Sequence, residues 1–213
     1  MSRWAWIGWG VVGLLVLVLV VVAAPYLTLN PEAFFEPQRA VYQLHTLGIV
    51  GHIAGSMVAA VVGVVQLLPQ LRRPRFLRFH RWLGRVYLAG VLVGSIFGFY
   101  MAWFSFGGLT THLGFATLAG WWFATGLVAY RHIRAGDVRA HRRWMIRNYA
   151  MTFAAVTLRL WLVVLVVLQV PLEQAYQAVA WIAWVWNIPV AEWIIRRVEA
   201  PHVPAARPVQ VSV

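Results

Sequence analysis

The sequence contains no cysteine and no lysine, and only six of its 213 residues are acidic. Without cysteine the chain can form no disulfide, iron–sulfur cluster or thiolate metal site, so a metal would need histidine, methionine, tyrosine or carboxylate ligands. No carboxylate dyad, nucleophile elbow or phosphate-binding glycine loop is recognisable either. These absences argue against an enzyme of the soluble hydrolase or nucleotide-binding type.

Long apolar segments dominate what is present. Hydrophobic residues make up 62% of the chain and charged residues 11%, against roughly 45–50% and about 25% in soluble domains. A membrane-spanning helix needs about 20 mainly apolar residues, and six segments qualify. These predicted spans are residues 4–27, 42–68, 82–106, 111–130, 144–170 and 176–195. The sequence therefore predicts an all-α membrane protein, a six-helix transmembrane bundle with a core of spans two to five.

The two ends of the chain complete the predicted domain organisation. The first apolar segment exceeds the 7–15 residues of a signal-peptide core, so we expect a retained anchor. Residues 1–200 are expected to form one transmembrane domain. Residues 201–213, with three prolines, are expected to be a disordered tail.

The arginines predict the topology. All 18 basic residues are arginine, with six in segment 72–85 and six in segment 131–147. Short arginine-rich loops beside apolar spans stay in the cytoplasm and attract anionic lipids. With a cytoplasmic N-terminus, all arginines except Arg39 and Arg159 lie on that side. We therefore expect a multi-pass protein of the bacterial inner membrane with both termini in the cytoplasm. Membrane lipids are its expected partners, and nucleic acid is not.

The histidines of spans two to five lie at two membrane levels. His80 and His141 open spans three and five at the cytoplasmic face, whereas His112 opens span four at the outer face. His45 and His52 lie in the outer half of span two. At about 100° per residue each heads a helix face lined largely by small or polar residues, the kind of face that packs inward. On spans four and five these faces are His112, Ala116, Ala119, Phe123 and Tyr130, and His141, Asn148, Thr152 and Arg159.

Histidine pairs on facing helices suggest haem iron with two axial imidazoles. Such ligation leaves no open iron site and suits electron transfer. His80 with His141 would form an inner pair, and His112 with either His52 or His45 an outer pair. Arginine matches a haem propionate, and Arg159 is the candidate partner for the outer site. The number of haems (none, one or two haem b) stays open.

Two charged residues, Arg159 and Glu192, lie within apolar spans, where a charge is costly and is usually paired or functional. Arg159 lies in the middle of its span, where snorkelling to the interface is difficult, so an inward role is expected. Glu192 precedes Arg196 by four residues and is expected to pair with it. Asn187 and Pro189 indicate a kink in the last span. The 13 tryptophans lie mostly at the span ends and are interpreted as an aromatic belt.

Two motifs resemble known proteins. The stretches HRWLGRVY from His80 and HRRWMIRNY from His141, with LRLW from Leu158 and HIAG from His52, are similar to an uncharacterised family of bacterial membrane proteins. The layout more loosely resembles the cytochrome b561 type, in which six helices hold two haems. That resemblance implies ligands on helices two and four at one face, here His52 and His112. The same resemblance implies that His80 on helix three and His141 on helix five are the haem ligands at the other membrane face.

Two functions follow as hypotheses. The first is a b-type haem-binding transmembrane electron-transfer protein, supplied by quinol or another small reductant. The second is a haem-free membrane transporter, or an accessory subunit of a larger complex, that uses the polar line ending at Arg159. The sequence leaves open whether the chain is itself an oxidoreductase and whether it forms a homodimer or joins a larger membrane complex.

Overall fold

The computed structural model describes residues 3–199, and these form eight α-helices with no strand among them. In chain order, α1 to α8 are Arg3–Ala23, Arg39–Leu44, Thr46–Gln66, Leu77–Ala102, Leu109–Arg134, Val138–Val167, Leu172–Val185 and Asn187–Glu199. Six stretches are long and apolar enough to cross a membrane, with α7 and α8 together forming the sixth. The all-α, six-span prediction is confirmed. The predicted tail, residues 201–213, lies outside the described residues.

The helices α3, α4, α5 and α6 form the core predicted from spans two to five. They pack in ring order, so that α4 and α6 are diagonal to each other, while α1 lies outside against α3 and α7 lies outside against α5 and α6. The central apolar cluster takes a large side chain from each of three core helices, Tyr87, Trp122 and Met151. The core helices thereby bury one face in the bundle, while many large apolar side chains elsewhere on the described helices stay exposed, as expected for a surface that contacts lipid.

The helices α3 and α4 approach closely because glycines face each other. A Cβ atom on Gly55 would lie 2.5 Å from the backbone nitrogen of Gly94. A Cβ atom on Gly90 would lie 2.9 Å from the carbonyl oxygen of Gly55. Small residues at a helix interface permit this backbone approach, which van der Waals packing then stabilises in lipid.

Two predicted spans are interrupted. The segment predicted as 42–68 breaks at His45, between α2 and α3, and the hydroxyl of Thr46 donates to the carbonyl oxygens of Tyr42 (3.0 Å) and Gln43 (2.8 Å). Such back-bonding by threonine bends helices. The last span begins at Leu172 rather than 176 and breaks at Trp186.

The break at Trp186 agrees with the kink expected from Asn187 and Pro189. The side-chain amide of Asn187 donates to the carbonyl oxygen of Ala150 at 2.9 Å and to the hydroxyl of Thr157 at 3.1 Å. Both acceptors lie on α6, so the polar contact fixes where the kinked helix lies against the core.

The bundle has two different ends. At the first, called here the basic end, α3, α5 and α8 finish and α1, α4 and α6 begin, next to the two six-arginine segments. At the second, called the opposite end, α4 turns into α5 through Gly107 and Gly108, whose φ values of 98° and 72° favour glycine. The candidate residues are distributed between these ends.

Candidate functional site

A buried polar network lies at the centre of the bundle. The hydroxyl of Tyr87 donates to the side-chain oxygen of Asn148 at 2.6 Å and lies 2.9 Å from the hydroxyl of Thr152. The amide of Asn148 donates to the carbonyl oxygen of Trp122 (2.7 Å) and to Thr125 (2.9 Å), and the indole of Trp122 donates to Thr152 (2.9 Å). Tyr87 and Asn148 are fully buried. The network therefore fixes the register of α4, α5 and α6 without solvent.

This register brings His80 and His141 to the same level. Both α4 and α6 begin at the basic end and run in the same direction. His80 precedes Tyr87, and His141 precedes Asn148, by seven residues, which is two helical turns, or about 10 Å, along nearly the same face. Each histidine therefore lies two turns below one member of a hydrogen-bonded pair. His141 is close enough to His80 to act on it electrostatically.

The two imidazoles are held differently. The Nδ1 atom of His141 lies 2.8 Å from the carbonyl oxygen of Ala129 on α5. Because a carbonyl only accepts, Nδ1 carries the proton, and the lone pair is on Nε2. The Nδ1 atom of His80 is buried and finds no hydrogen-bond partner within residues 3–199. A buried polar nitrogen without a partner is costly unless a ligand uses it.

Arginines surround this pair. Arg72, in the loop between α3 and α4, and Arg81 are charged neighbours of His80. Partial burial and the nearby charge of Arg142 lower the pKa of Arg72. Guanidinium groups from the loop before α4, from α4 and from α6 thus lie near His80, which favours an anionic group at this position.

His52 belongs to a separate site in the half of the bundle toward the opposite end. Its Nδ1 lies 2.8 Å from the carbonyl oxygen of Gly94 on α4, so this nitrogen too carries the proton. A Cβ atom on Gly98 would lie 2.7 Å from the same Nδ1, so glycine is what admits the ring between the helices. The remaining nitrogen, Nε2, makes no hydrogen bond to any described residue.

A cavity of about 380 Å³ lies beside His52. It is lined mainly by apolar and aromatic side chains of α1, α3, α4, α5, α6 and α7. Its polar lining comprises His52, Ser56, Thr152, Arg159, Ser105 and the tyrosines Tyr26, Tyr42 and Tyr176. No carboxylate of the described residues lines it. The guanidinium of Arg159 donates to the carbonyl oxygen of Ala155 on its own helix at 2.7 Å, and no ion pair is formed with it in the described part of the chain.

The other outer histidines do not join His52. The Nε2 atom of His112 lies 3.0 Å from the carbonyl oxygen of Ser105, and His112 does not line the cavity. His45 shares a hydrogen bond of 2.7 Å between its Nδ1 and the hydroxyl of Tyr100, and its ring stacks on Phe104. Each of these rings already has a structural partner. The outer pairing of His112 with His52 or His45 stays a prediction.

The predicted inward face of the fourth span is partly wrong. Phe123 and Tyr130, expected to lie with His112 on this face, are 41% and 45% exposed. The buried face instead includes Trp122 and Ala129. Trp122 was missed because tryptophans in membrane helices are usually interfacial. Its position in mid-span, far from either end of α5, is the signal that could have identified it.

The expected Glu192–Arg196 pair is also replaced. Arg147 on α6 binds both carboxylate oxygens of Glu192 on α8, at 2.6 and 3.0 Å. The planar guanidinium favours such bidentate geometry over a local contact along one helix. This ion pair stabilises the packing of α8 against α6 near the basic end.

Comparison with known proteins identifies the family. The family described as "Predicted membrane protein (DUF2306)" matches residues 49–195, well over half of the chain. The chain belongs to this family, which confirms the resemblance to an uncharacterised membrane protein family. Neither the curated proteins nor the solved structures gave a match, so the looser likeness to cytochrome b561 stays a prediction. Among residues 3–199 no group of three His, Asp or Glu side chains is arranged to hold a metal ion.

Proposed function

For this member of a six-span membrane protein family, we propose a function as a b-type haem-binding electron-transfer protein, with His80 and His141 as the axial ligands. We further propose that the basic end faces the cytoplasm, in accordance with the positive-inside rule. Bis-histidine haem would supply one-electron transfer without an open coordination position. Quinol or another small reductant is the proposed electron donor.

The observation that carries this proposal is the register set by Tyr87 and Asn148. Because this pair joins two parallel, diagonal helices, the histidines seven residues before each are at one level and on facing sides. Cofactors of helical bundles are commonly held by side chains on facing helices in this way. Two histidines are sufficient for an axial pair, whereas a structural metal site would need three or four ligands.

The residues around His80 and His141 are suited to hold a haem. The bond from the Nδ1 of His141 to Ala129 leaves Nε2 free, which is the arrangement usual for an iron-ligating or zinc-ligating histidine. The buried Nδ1 of His80 has no partner among the described residues, so rotation of this ring sacrifices no hydrogen bond. Arg72, Arg81 and Arg142 are candidates to bind the two propionates.

The outer site is less well supported as a haem site. His52 lines the cavity with Arg159, but His112 lies outside that lining and is bonded to Ser105. We therefore propose one haem at the basic end. Electron transfer across the whole membrane would need the second site, and His52 with His112 remains the predicted pair for it.

The test is a dithionite-reduced minus oxidised absorbance spectrum of protein expressed with ample haem and purified in mild detergent. We expect b-type bands and about one haem per chain by pyridine haemochrome. His80→Ala and His141→Ala should each abolish the bands. The control is His132→Ala, because His132 lies at the same end but is partly exposed and paired with Asp137.

The outcomes separate the hypotheses. Retention of haem in both alanine variants, with unchanged elution on size-exclusion chromatography, would contradict the assignment. A count of two haems that falls to one in His112→Ala would add the outer site. A colourless wild-type protein would rule out the haem function altogether.

The second candidate is a haem-free transporter or accessory subunit. The observation that favours it is the cavity itself, in which Arg159 has no carboxylate partner among the described residues. A charge within a membrane span usually marks a substrate or ion path or a partner contact. Loss of uptake or complex assembly in Arg159→Gln, with a colourless protein, would support this function.

A further inference from the structure

The cavity beside His52 is a further candidate binding site, distinct from the inner histidine pair. We propose that it binds a small amphipathic carboxylate, a lipophilic acid with a chain of about ten carbons. Arg159 would bind the carboxylate, and the apolar lining would bind the chain. The inference goes beyond the proposed function, because it requires neither haem nor His80 and His141.

The charge of Arg159 favours an anionic ligand. Arg159 is an exposed residue that lines the cavity within a membrane span, and it is without a carboxylate partner in the described part of the chain. Unpaired charge in a low-dielectric region is costly, and a bound anion would offset that cost whereas a neutral ligand would not. A planar guanidinium binds a carboxylate through two parallel hydrogen bonds, which a single hydroxyl or carbonyl group cannot accept.

Two other polar groups of the cavity lining also have unused hydrogen-bonding capacity. The Oγ atom of Ser56 is buried and makes no hydrogen bond among residues 3–199. The Nε2 of His52 is likewise available, because Nδ1 is bonded to Gly94. The hydroxyl of Ser56 can donate to a carboxylate oxygen, and a His52 ring that takes up a proton from solvent can donate to it through Nε2. Thus a donor, a proton acceptor and a cation line one cavity.

Size and lining determine the rest of the ligand. The volume of about 380 Å³ corresponds to roughly a dozen waters at about 30 Å³ each, and thus to a ligand of about a dozen non-hydrogen atoms. Ile49, Met57, Met101, Phe115 and Leu162 are among the apolar side chains around it. Ligand sites of about 300–1,000 Å³ with few polar groups are typical for small molecules. Decanoate has the charge, length and apolar body that these features require.

The experiment is equilibrium binding of radiolabelled decanoate to the protein in phosphatidylcholine nanodiscs, with empty nanodiscs as background. We expect saturable binding of about one decanoate per chain. Arg159→Gln should weaken the affinity at least about tenfold, since a hydrogen-bonded charge is lost. Arg131→Gln, which removes an exposed arginine at the basic end, is the charge-matched control and should bind as wild type.

A second variant keeps the inference testable if Arg159→Gln fails to fold. Ala119 is buried and lines the cavity, so Ala119→Leu should fill part of it while leaving Arg159 in position. We expect weaker decanoate binding in this variant also. Unchanged binding in a folded Ala119→Leu protein would overturn the assignment to this cavity.

Competitors identify the ligand chemistry. Decanol has the same chain without the charge and should compete at least about tenfold less well than decanoate. Equal competition by decanol or by a short-chain quinone would overturn the carboxylate assignment. Loss of decanoate binding in nanodiscs that contain phosphatidylglycerol would instead assign the site to a lipid phosphate and overturn it too.

The same samples separate this inference from the haem function. A colourless protein that binds decanoate would remove the haem proposal and leave the carboxylate site standing. A haem count of two per chain, with haem displacing decanoate, would mean that His52 holds a haem, and the inference would fail.

Discussion

The hydroxyl of Tyr87 and the side-chain oxygen of Asn148 are 2.6 Å apart, and this hydrogen bond joins two helices that are diagonal in the four-helix core. Both residues are wholly buried. In lipid no water is available to replace the bond, although competing partners within the membrane limit what such a bond contributes to stability. Its main consequence is geometric: it fixes α4 and α6 in one register and thereby matches the levels of His80 and His141.

Tyr87→Phe is expected to destabilise the protein by about 1–2 kcal/mol. The substitution keeps the ring but removes the hydroxyl, which leaves Asn148 without its donor. Thermal unfolding in detergent measures the effect. Tyr130→Phe is the control, because Tyr130 is 45% exposed on the same bundle. Equal stability of the two variants would show that the Tyr87 bond does not contribute.

The Tyr87 variant also tests the haem function. If the hydrogen bond aligns the inner histidines, Tyr87→Phe should lower haem occupancy or shift the haem spectrum, whereas Tyr130→Phe should do neither. A stability loss without any spectral change would restrict the network to a structural role.

Gly55→Ala should be among the most destabilising small substitutions in the chain. The added methyl carbon would lie 2.5 Å from the Gly94 backbone nitrogen, and backbone cannot move aside as a flexible side chain can. We expect a loss of about 2–3 kcal/mol, as in other overpacked cores. Gly120→Ala is the matched control, since nothing lies within 4 Å of its added carbon. Thermal melting of both variants in the same detergent measures the difference, and equal melting temperatures would contradict the prediction.

The Glu192→Gln substitution tests how α8 is held. It removes the charge that Arg147 binds through both oxygens, while part of each side chain remains exposed. We expect a loss of about 0.5–1 kcal/mol that shrinks at high salt, as for partly exposed ion pairs. Glu173→Gln, an exposed acid at the opposite end, should be neutral. An effect of the same size in both variants would show that charge in general is responsible.

The sequence was sufficient for the number and approximate positions of the spans, and it predicted a common level for His80 and His141. Hydropathy and arginine positions depend only on each helix and its loops, so residues such as His80 and His141 could be assigned to one level. The predicted inward face of span five is confirmed for Asn148 and Thr152, which are buried, whereas Arg159 at its end is exposed. The structure adds their partners, Tyr87 and Trp122.

Contacts between helices were the part that could not be predicted. Which arginine binds Glu192 depends on the rotation and packing of α6 and α8, whereas the sequence shows only the local neighbour Arg196. Trp122 is buried whereas its sequence neighbour Phe123 is exposed, because one residue turns an α-helix by about 100°. The cavity could not be predicted either, since residues from seven helices line it.

The absence of cysteine makes the orientation directly testable. Ala135 lies in the exposed turn between α5 and α6 at the basic end, and Glu173 is exposed in the first turn of α7 at the opposite end. Single variants Ala135→Cys and Glu173→Cys would each carry the only thiol in the chain. Neither position is within the bundle, so both proteins should insert normally.

A membrane-impermeant maleimide reports which side each thiol occupies. If arginine-rich loops stay in the cytoplasm, intact spheroplasts should label the Glu173→Cys protein strongly, and the Ala135→Cys protein only after lysis. The reverse pattern would place the basic end outside and remove the cytoplasmic orientation of the proposed haem site. Because the thiols lie at opposite ends, insertion in both orientations would be recognised as partial labelling of both variants before lysis. Such a result would contradict the single topology that the arginine distribution predicts.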